Sequence, residues 1–435
     1  MEHNPNKSRD TKQHAIILQR IDPENKKKNS KKTSVSDEAL IEEATSLLNS
    51  ANIEVVKTFT QERLRGPKYM GVGKLEEVKA FIDQYNLDDS NDTAIDIVLV
   101  NDSISASELN YIDQLIDIKI IDRTQLILDI FASRAESNEG KIQVELAQLN
   151  YLLPRLSGHG KSLSRQAGGI GARGPGETKL EQDQRHIRSR MNELKRKLSR
   201  LETMRMRRRE KDNRQSAPKV ALVGYTNAGK SSWFNVLTQA MTYEDDLLFA
   251  TLDTLKRDVQ LNEHGFSMKL IDTVGFIREL PTELVEAFKS TLEEAMDSDI
   301  LLIVIDSSDD AYMEHYDTVT EIIGKIMPDD EIERIVIMNK SDVIERDISS
   351  FQAPTISVSS QLDDGKVVKD KILDVLRGLY ESYTVTIPIR DSNTLYTLKQ
   401  QTIIESIDID EVKERYIING FISNKSLLHL SLIHI

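Results

Sequence analysis

One octapeptide constrains this 435-residue chain more than any other stretch. Gly224, Tyr225, Thr226, Asn227, Ala228, Gly229, Lys230 and Ser231 spell G-x-x-x-x-G-K-S. Glycines at that spacing let a backbone wrap closely around a phosphate chain with its N–H groups turned inward. Such a loop works between a buried strand and a helix, and both flank it. Val220 to Val223 is a short apolar run, and Ser231 to Leu237 follows helical spacing. The chain must therefore contain an α/β domain with a phosphate loop at the carboxyl end of a strand. Lys230 is the candidate point charge for the β- and γ-phosphates. Ser231, followed by Ser232, is the candidate hydroxyl ligand of Mg²⁺.

A phosphate loop does not choose a base, but segments downstream do. Asn339-Lys340-Ser341-Asp342 follows the apolar strand Ile335 to Met338. The Asp342 carboxylate can accept two hydrogen bonds from the N1–H and exocyclic amine of guanine, a donor pair that adenine lacks. Asn339 would fix the loop and read the purine edge, with the Lys340 stem along the base. Ser357 and Val358 would close over the base with backbone N–H groups. Asp272-Thr273-Val274-Gly275 is a D-x-x-G pattern after the strand Met268 to Ile271. Asp272 would hold Mg²⁺ through water, and the Gly275 N–H would touch the γ-phosphate. Thr251 sits where a switch threonine would ligate the same ion. Lys230, Thr251, Gly275 and Asn227 are thus the candidate catalytic residues of a GTP/GDP site.

Phe276 follows Gly275, where many GTPases carry a glutamine that orients the attacking water. Phenylalanine cannot hydrogen-bond water, so hydrolysis is expected to be slow until something else supplies that order. Asn227 is a candidate ligand for K⁺ beside the phosphates, and the alternative is that it only shapes the turn.

The absence of cysteine excludes disulfides, thiolate metal sites and cysteine catalysis. No apolar run approaches the ~18 residues a membrane span needs, and no signal region opens the chain. The expectation is a cytoplasmic monomer with no membrane partner. The net charge of −14 argues against nucleic acid until its distribution is read. Residues 155–214 carry 18 Lys and Arg against 7 Asp and Glu, whereas the remainder carries 39 against 64. A basic block in an acidic chain is the footprint of a polyanion-binding element.

The chain reads as an α/β multidomain protein with four parts. Residues 13–130 alternate apolar segments (Ala15–Ile21, Ile53–Phe59, Ile95–Val100, Lys119–Asp122) with helical patterns at 36–50, 72–85 and 105–116. That alternation implies an N-terminal parallel α/β domain. In 131–212, Ile142, Leu146, Leu149, Leu153 and Leu156 step by 4, 3, 4, 3, and so do Ile187, Met191, Leu194, Leu198 and Leu201. These are the seams of an antiparallel coiled-coil hairpin. Its connecting loop, Ser157–Glu177, holds seven glycines among 21 residues. His159, Lys161, Arg165 and Arg173 supply positive charge there, and Gly168, Gly169, Gly171 and Gly174 permit close backbone approach to RNA. Residues 216–380 form the P-loop GTPase domain. Residues 381–435 suggest a small α+β appendage, with a strand at Thr384–Ile389, a helix at Asn393–Ser406 and a strand at Arg415–Ile422.

Three stretches carry a resemblance to a known family. They are Arg134-Ala135-Glu136 with Glu139 to Leu149, the run Gly168 to Glu181, and the phosphate loop with Tyr225-Thr226-Asn227. Together they resemble the HflX family of ribosome-associated GTPases over roughly residues 50–380. The resemblance implies binding to the large (50S) ribosomal subunit and its 23S-type rRNA, with the glycine-rich loop reaching toward the peptidyl-transferase centre. It implies splitting or rescue of stalled or hibernating 70S ribosomes, resistance to ribosome-targeting antibiotics in some members, and ATP binding by the N-terminal domain. Departures are Ser232-Trp233 in place of Thr-Leu and Val358 in place of Ala; Trp233 is expected to alter packing behind the phosphate loop. The competing reading is an RNA-binding or remodelling module whose nucleotide hydrolysis is incidental. A tRNA-modification GTPase lacks support, since no modification domain is visible.

Overall fold

The computed structural model describes residues 12–21, 36–62, 68–88, 90–91, 93–164, 175–212, 217–239, 248–249, 255–278, 284, 297–326 and 332–423. They fall into two compact units.

In the first unit, β1 (Gln13–Ile21), β2 (Ile53–Glu62), β3 (Ile95–Val100) and β4 (Lys119–Asp122) form a parallel sheet in the order β2-β1-β3-β4. Ala15 to Leu18 of β1 are consecutive and fully buried, as expected of a strand covered on both faces. The crossovers are α1 (Asp37–Ser50), α2 (Val72–Leu87) and α3 (Ala106–Asp113). Local chemistry sets where α1 and α3 begin. Ser36 accepts the Ala39 N–H at 3.1 Å ahead of Asp37 and Glu38, and Ser105 with Glu108 forms a capping box. The helix α4 (Arg123–Arg134) is capped by Asp122, whose carboxylate accepts the Gln125 N–H at 2.8 Å.

Two long helices follow, α5 (Asn138–Ser164) and α6 (Pro175–Asp212). Their seams meet: Ile142, Leu146, Met191, Leu194 and Leu198 form one buried cluster, with Leu149, Leu153, Ile187 and Leu201 packed against it. Arg190 of α6 reaches across to Glu145 of α5 at 2.6 and 2.9 Å. Both helices run further into the glycine-rich stretch than the expected loop of 157–177 allowed. Once a seam anchors a helix, each added residue gains a hydrogen bond without a new nucleation cost, and Pro175 suits a first helical position. A second face of α5 belongs to the α/β domain. Tyr151 donates to Asp122 Oδ1 at 2.7 Å, and Arg155 pairs with Asp122 Oδ2 at 3.0 Å while lying 3.5 Å from the Tyr151 ring centroid. Leu248 and Phe249 also belong to this unit. The Leu248 N–H donates to Ser50 Oγ at 2.9 Å, and the Phe249 ring lies 4.6 Å from that of Phe131.

The second unit holds a six-stranded sheet built from β5 (Lys219–Gly224), β6 (Leu255–Gln260), β7 (Ser267–Asp272), β8 (Ile300–Asp306), β9 (Glu333–Asn339) and β10 (Thr355–Ser357). Its order is β10-β9-β8-β5-β7-β6, with β6 alone antiparallel to its neighbour. The helices α7 (Lys230–Thr238), α8 (Tyr312–Ile326) and α9 (Lys366–Leu379) cover it. Two apolar cores result, one around Trp233, Phe234, Leu302 and Ile372, the other around Phe276, Ile303, Val319 and Met338.

A separate antiparallel sheet closes the chain: β11 (Glu381–Pro388), β12 (Ile403–Asp410) and β13 (Arg415–Ile422), in the order β11-β13-β12, with α10 (Ser392–Gln401). The helix expected over 393–406 therefore stops at Gln401, and Ile403–Asp410 is a strand. Isoleucines at 403, 404, 407 and 409 are β-branched and favour extended backbone, although 403 and 407 also fit a helical period.

Candidate guanine-nucleotide site

β5 delivers the phosphate loop at the centre of the six-stranded sheet, beyond the carboxyl end of the strand, where open α/β sheets bind ligands. Asn227 is exposed with φ +61°, a left-handed backbone that asparagine tolerates better than most residues. Gly229 has φ +93°, and a Cβ there would lie 2.1 Å from Asn339 Nδ2. Both its backbone angle and its neighbour thus demand glycine. Lys230 is buried, and its ammonium donates to the carbonyls of Gly224 at 3.2 Å and Tyr225 at 2.7 Å. Burial pushes its pKa down from 10.5 to about 8, with the Asp272 charge opposing the shift. Tyr225 is pinned from outside the loop. Its ring stacks on His315 at 3.8 Å and its hydroxyl accepts the Arg278 N–H at 2.9 Å.

The D-x-x-G segment lies directly against the loop. Phe276 donates its N–H to the Gly224 carbonyl at 3.0 Å and accepts the Thr226 N–H at 2.8 Å. Thr273 donates to the Leu222 carbonyl at 2.7 Å. A Cβ on Gly275 would fall 2.9 Å from Thr226 Cγ2 and 3.0 Å from Lys230 Nζ, so no side chain fits between segment and loop. Val274 is buried beside it. The Phe276 side chain is 1% exposed in the apolar core, so it contributes packing and no polar group.

Ser231 Oγ lies 3.3 Å from Oδ2 of the fully buried Asp272. A hydroxyl and a carboxylate at the foot of the loop are hard oxygen donors, and that donor set fits Mg²⁺. Ser232 is half-buried one residue on. Thr251, the third expected ligand, lies outside the described residues.

The N-K-x-D loop starts where β9 ends. Asn339 is fully buried. Its Nδ2 donates to the Ala228 carbonyl at 2.9 Å, and its Oδ1 accepts the Ser360 N–H at 3.1 Å. Lys340 adopts φ +61° and pairs with Asp306 at 2.6 Å, which holds its stem in place. Asp342 is exposed at the mouth of the loop. Ser357 ends β10. The Val358 N–H is spent on the Met338 carbonyl at 3.0 Å and its side chain is in the core, so the N–H that meets Asn339 belongs to Ser360, two residues further on.

Sequence reasoning missed one participant. Trp233 Nε1 donates to Asn339 Oδ1 at 3.0 Å from a fully buried indole. Its place four residues into the helix gave no hint that it reaches a loop 106 positions away.

The expected RNA contacts are described only in part. Arg165, Gly168, Gly169, Gly171, Arg173 and Gly174 lie outside the described residues. His159 and Lys161 fall within the backbone of α5.

This sheet order, with a phosphate loop after β5, a D-x-x-G segment after β7 and N-K-x-D after β9, defines a P-loop GTPase. The chain is 46% identical over 387 residues to the protein named GTPase HflX from Alkalihalophilus pseudofirmus, covering 88% of this chain and 89% of that one. It belongs to the HflX family of GTPases. The Escherichia coli K12 protein of that name is 42% identical over 307 residues, or 70% of each chain. Residues 38–132 match the family model described as GTP-binding GTPase N-terminal, 134–212 the GTP-binding GTPase middle region, and 219–340 the 50S ribosome-binding GTPase. Among solved structures, a GTP-binding protein from Sulfolobus solfataricus in complex with GDP aligns at a TM-score of 0.43 and 24% identity, over 84% of this chain and 99% of that one.

Proposed function

We propose that this GTPase binds the large ribosomal subunit in its GTP form, splits stalled or hibernating 70S ribosomes, and leaves after hydrolysis. In this reading the phosphate loop, Asp272 and Gly275 would sense the γ-phosphate, Ser231, Asp272 and Thr251 would hold Mg²⁺, and Asn339 with Asp342 would select guanine. The ion would supply charge neutralisation at the phosphates. Lys230 would leave the loop carbonyls for the phosphate oxygens. With Phe276 committed to the core, turnover in isolation is slow. Ribosomal contacts would supply the missing order, and Asn227 is the residue that would hold K⁺ if a cation shares that task. The working compartment is the cytoplasm.

One observation carries the ribosomal part. The hairpin hides its apolar seam between α5 and α6 and turns Arg185, Arg188, Lys195, Arg196 and Arg200 outward. A rigid rod with a basic surface is suited to phosphate contacts on folded RNA. The similarity of 219–340 to a model described as a 50S ribosome-binding GTPase supports the same partner.

The test is sedimentation of 70S ribosomes with the protein and GTP, a non-hydrolysable GTP analogue, or ATP. GTP and its analogue are expected to move 70S material into separate subunits, and ATP is not. Persistence of the 70S peak under all three would reject the proposal. GTP turnover measured in KCl and in NaCl addresses Asn227, and equal rates would remove K⁺ from the site.

A further inference from the structure

Trp233 occupies the fourth position of α7, immediately after the phosphate loop. Helical side chains lean toward the amino end of their helix, so its indole points back beneath the loop. The ring is fully buried, and its N–H lies 3.0 Å from Asn339 Oδ1. An indole N–H can only donate, and so can the Ser360 backbone N–H that meets the same oxygen at 3.1 Å. Two donors converging on one side of an amide fix that side as oxygen. The Asn339 nitrogen is thereby turned toward the loop, where one N–H is taken by the Ala228 carbonyl at 2.9 Å. A primary amide carries a second N–H, and guanine presents the acceptor N7 on the edge such a donor meets.

We propose that Trp233 is a positioning residue for purine binding in the guanine site: its indole N–H locks the Asn339 amide so that the remaining amide N–H faces the purine N7. The proposal rests on the guanine reading of the Asn339–Asp342 loop and deepens it. It adds a purine-edge contact beside the guanine-reading carboxylate of Asp342, supported by a side chain that does not touch the ligand. Four segments meet at this amide: α7, the phosphate loop at Ala228, the end of β9, and the Ser360 turn. Trp233 contributes the one donor of the set that substitution can delete while leaving the backbone in place.

The experiment compares the full-length protein with Trp233→Phe, which keeps an aromatic ring and loses the N–H. Affinities are measured for GDP, ADP, and 7-deaza-GDP, which lacks the N7 acceptor. The expected loss for GDP is about 3- to 10-fold, the range of one neutral hydrogen bond. For 7-deaza-GDP the same substitution is expected to cost less than about twofold, because the contact that Trp233 supports is already missing. Equal losses for both ligands, or none for GDP, would overturn the proposal and leave Trp233 as packing. If the unsubstituted protein binds ADP as well as GDP, the guanine reading itself fails, a result independent of Trp233. A second measurement needs no variant. Trp233 is the only tryptophan in the chain, so tryptophan emission arises from this position alone. Saturation with GDP is expected to shift that emission, and saturation with 7-deaza-GDP to shift it by less than half as much. An emission that does not respond to GDP would also overturn the proposal.

Discussion

Lys230 shows how a single side chain can tie ligand binding to pH. Its ammonium is buried against two carbonyls, and burial lowers its pKa from 10.5 to about 8. An unfolded chain keeps this proton until about pH 10.5, whereas the folded protein gives it up near 8. Between those limits the unfolded state binds more protons. Lys230 therefore makes stability rise with pH across that window, by up to about 1.4 kcal/mol per unit. Phosphate oxygens favour the charged form, so nucleotide binding must recover the proton above pH 8. Affinity for GTP is expected to be flat below pH 8 and to fall above it, by up to about tenfold per unit. Titrating affinity from pH 7 to 9.5 checks this, and urea unfolding over the same range checks the stability slope without ligand. Lys230→Met should weaken binding and abolish both slopes. An unchanged unfolding slope in that variant would assign the titration to another group.

At the scale of elements, the joint between α5 and the parallel sheet rests on Asp122. The carboxylate is fully buried, caps α4 through the Gln125 N–H, accepts from Tyr151, and pairs with Arg155. Removing it leaves the guanidinium without its charge partner, and such deletions cost about 3–5 kcal/mol. Asp122→Ala should destabilise the first unit by that amount, and Asp122→Asn, which keeps the cap acceptor, by less. Hydrogen exchange of α4 and α5 reads the effect locally, and a loss under about 0.5 kcal/mol would show the joint to be held by packing alone. This joint also marks where sequence reading stops. The seam residues from Ile142 to Leu201 were legible because 4, 3, 4, 3 spacing leaves one geometry for an apolar stripe. The turn at Gly229 and Lys230 between β5 and α7 was legible because a G-x-x-x-x-G-K-S octapeptide after an apolar run fits few other local geometries. Tyr151 and Arg155 lie off the seam, and no period encodes a bond to Asp122. The Trp233–Asn339 bond was hidden for the same reason. Residues 403–406 were read as the end of a helix because nothing local stops the helical pattern at Gln401, and pairing with β13 makes them the start of a strand.

Across the whole molecule, charge is the property that separates the hairpin from everything else. Residues 155–214 have a net charge of +11 in a chain whose total is −14. An acidic protein is repelled by RNA at long range, so on the proposed ribosomal partner a basic rod would determine which of its surfaces docks. Not all of its cations are equally available. Arg190 is engaged by Glu145 and Glu193, and Lys197 by Glu193. Arg188, Lys195 and Arg196 are exposed on the same helix and are the better candidates for phosphate contact. Each phosphate contact adds close to one unit to the slope of log affinity against log salt. Replacing the three with glutamine should therefore lower that slope for large-subunit binding by about 2–3 and weaken binding most at low salt. Glutamine preserves helix propensity, so the seam and the fold should survive. Binding to purified large subunits at several KCl concentrations measures the slope with the GTP analogue held constant. A slope unchanged by the triple substitution would mean that the rod does not meet RNA, and that the charge contrast serves another partner.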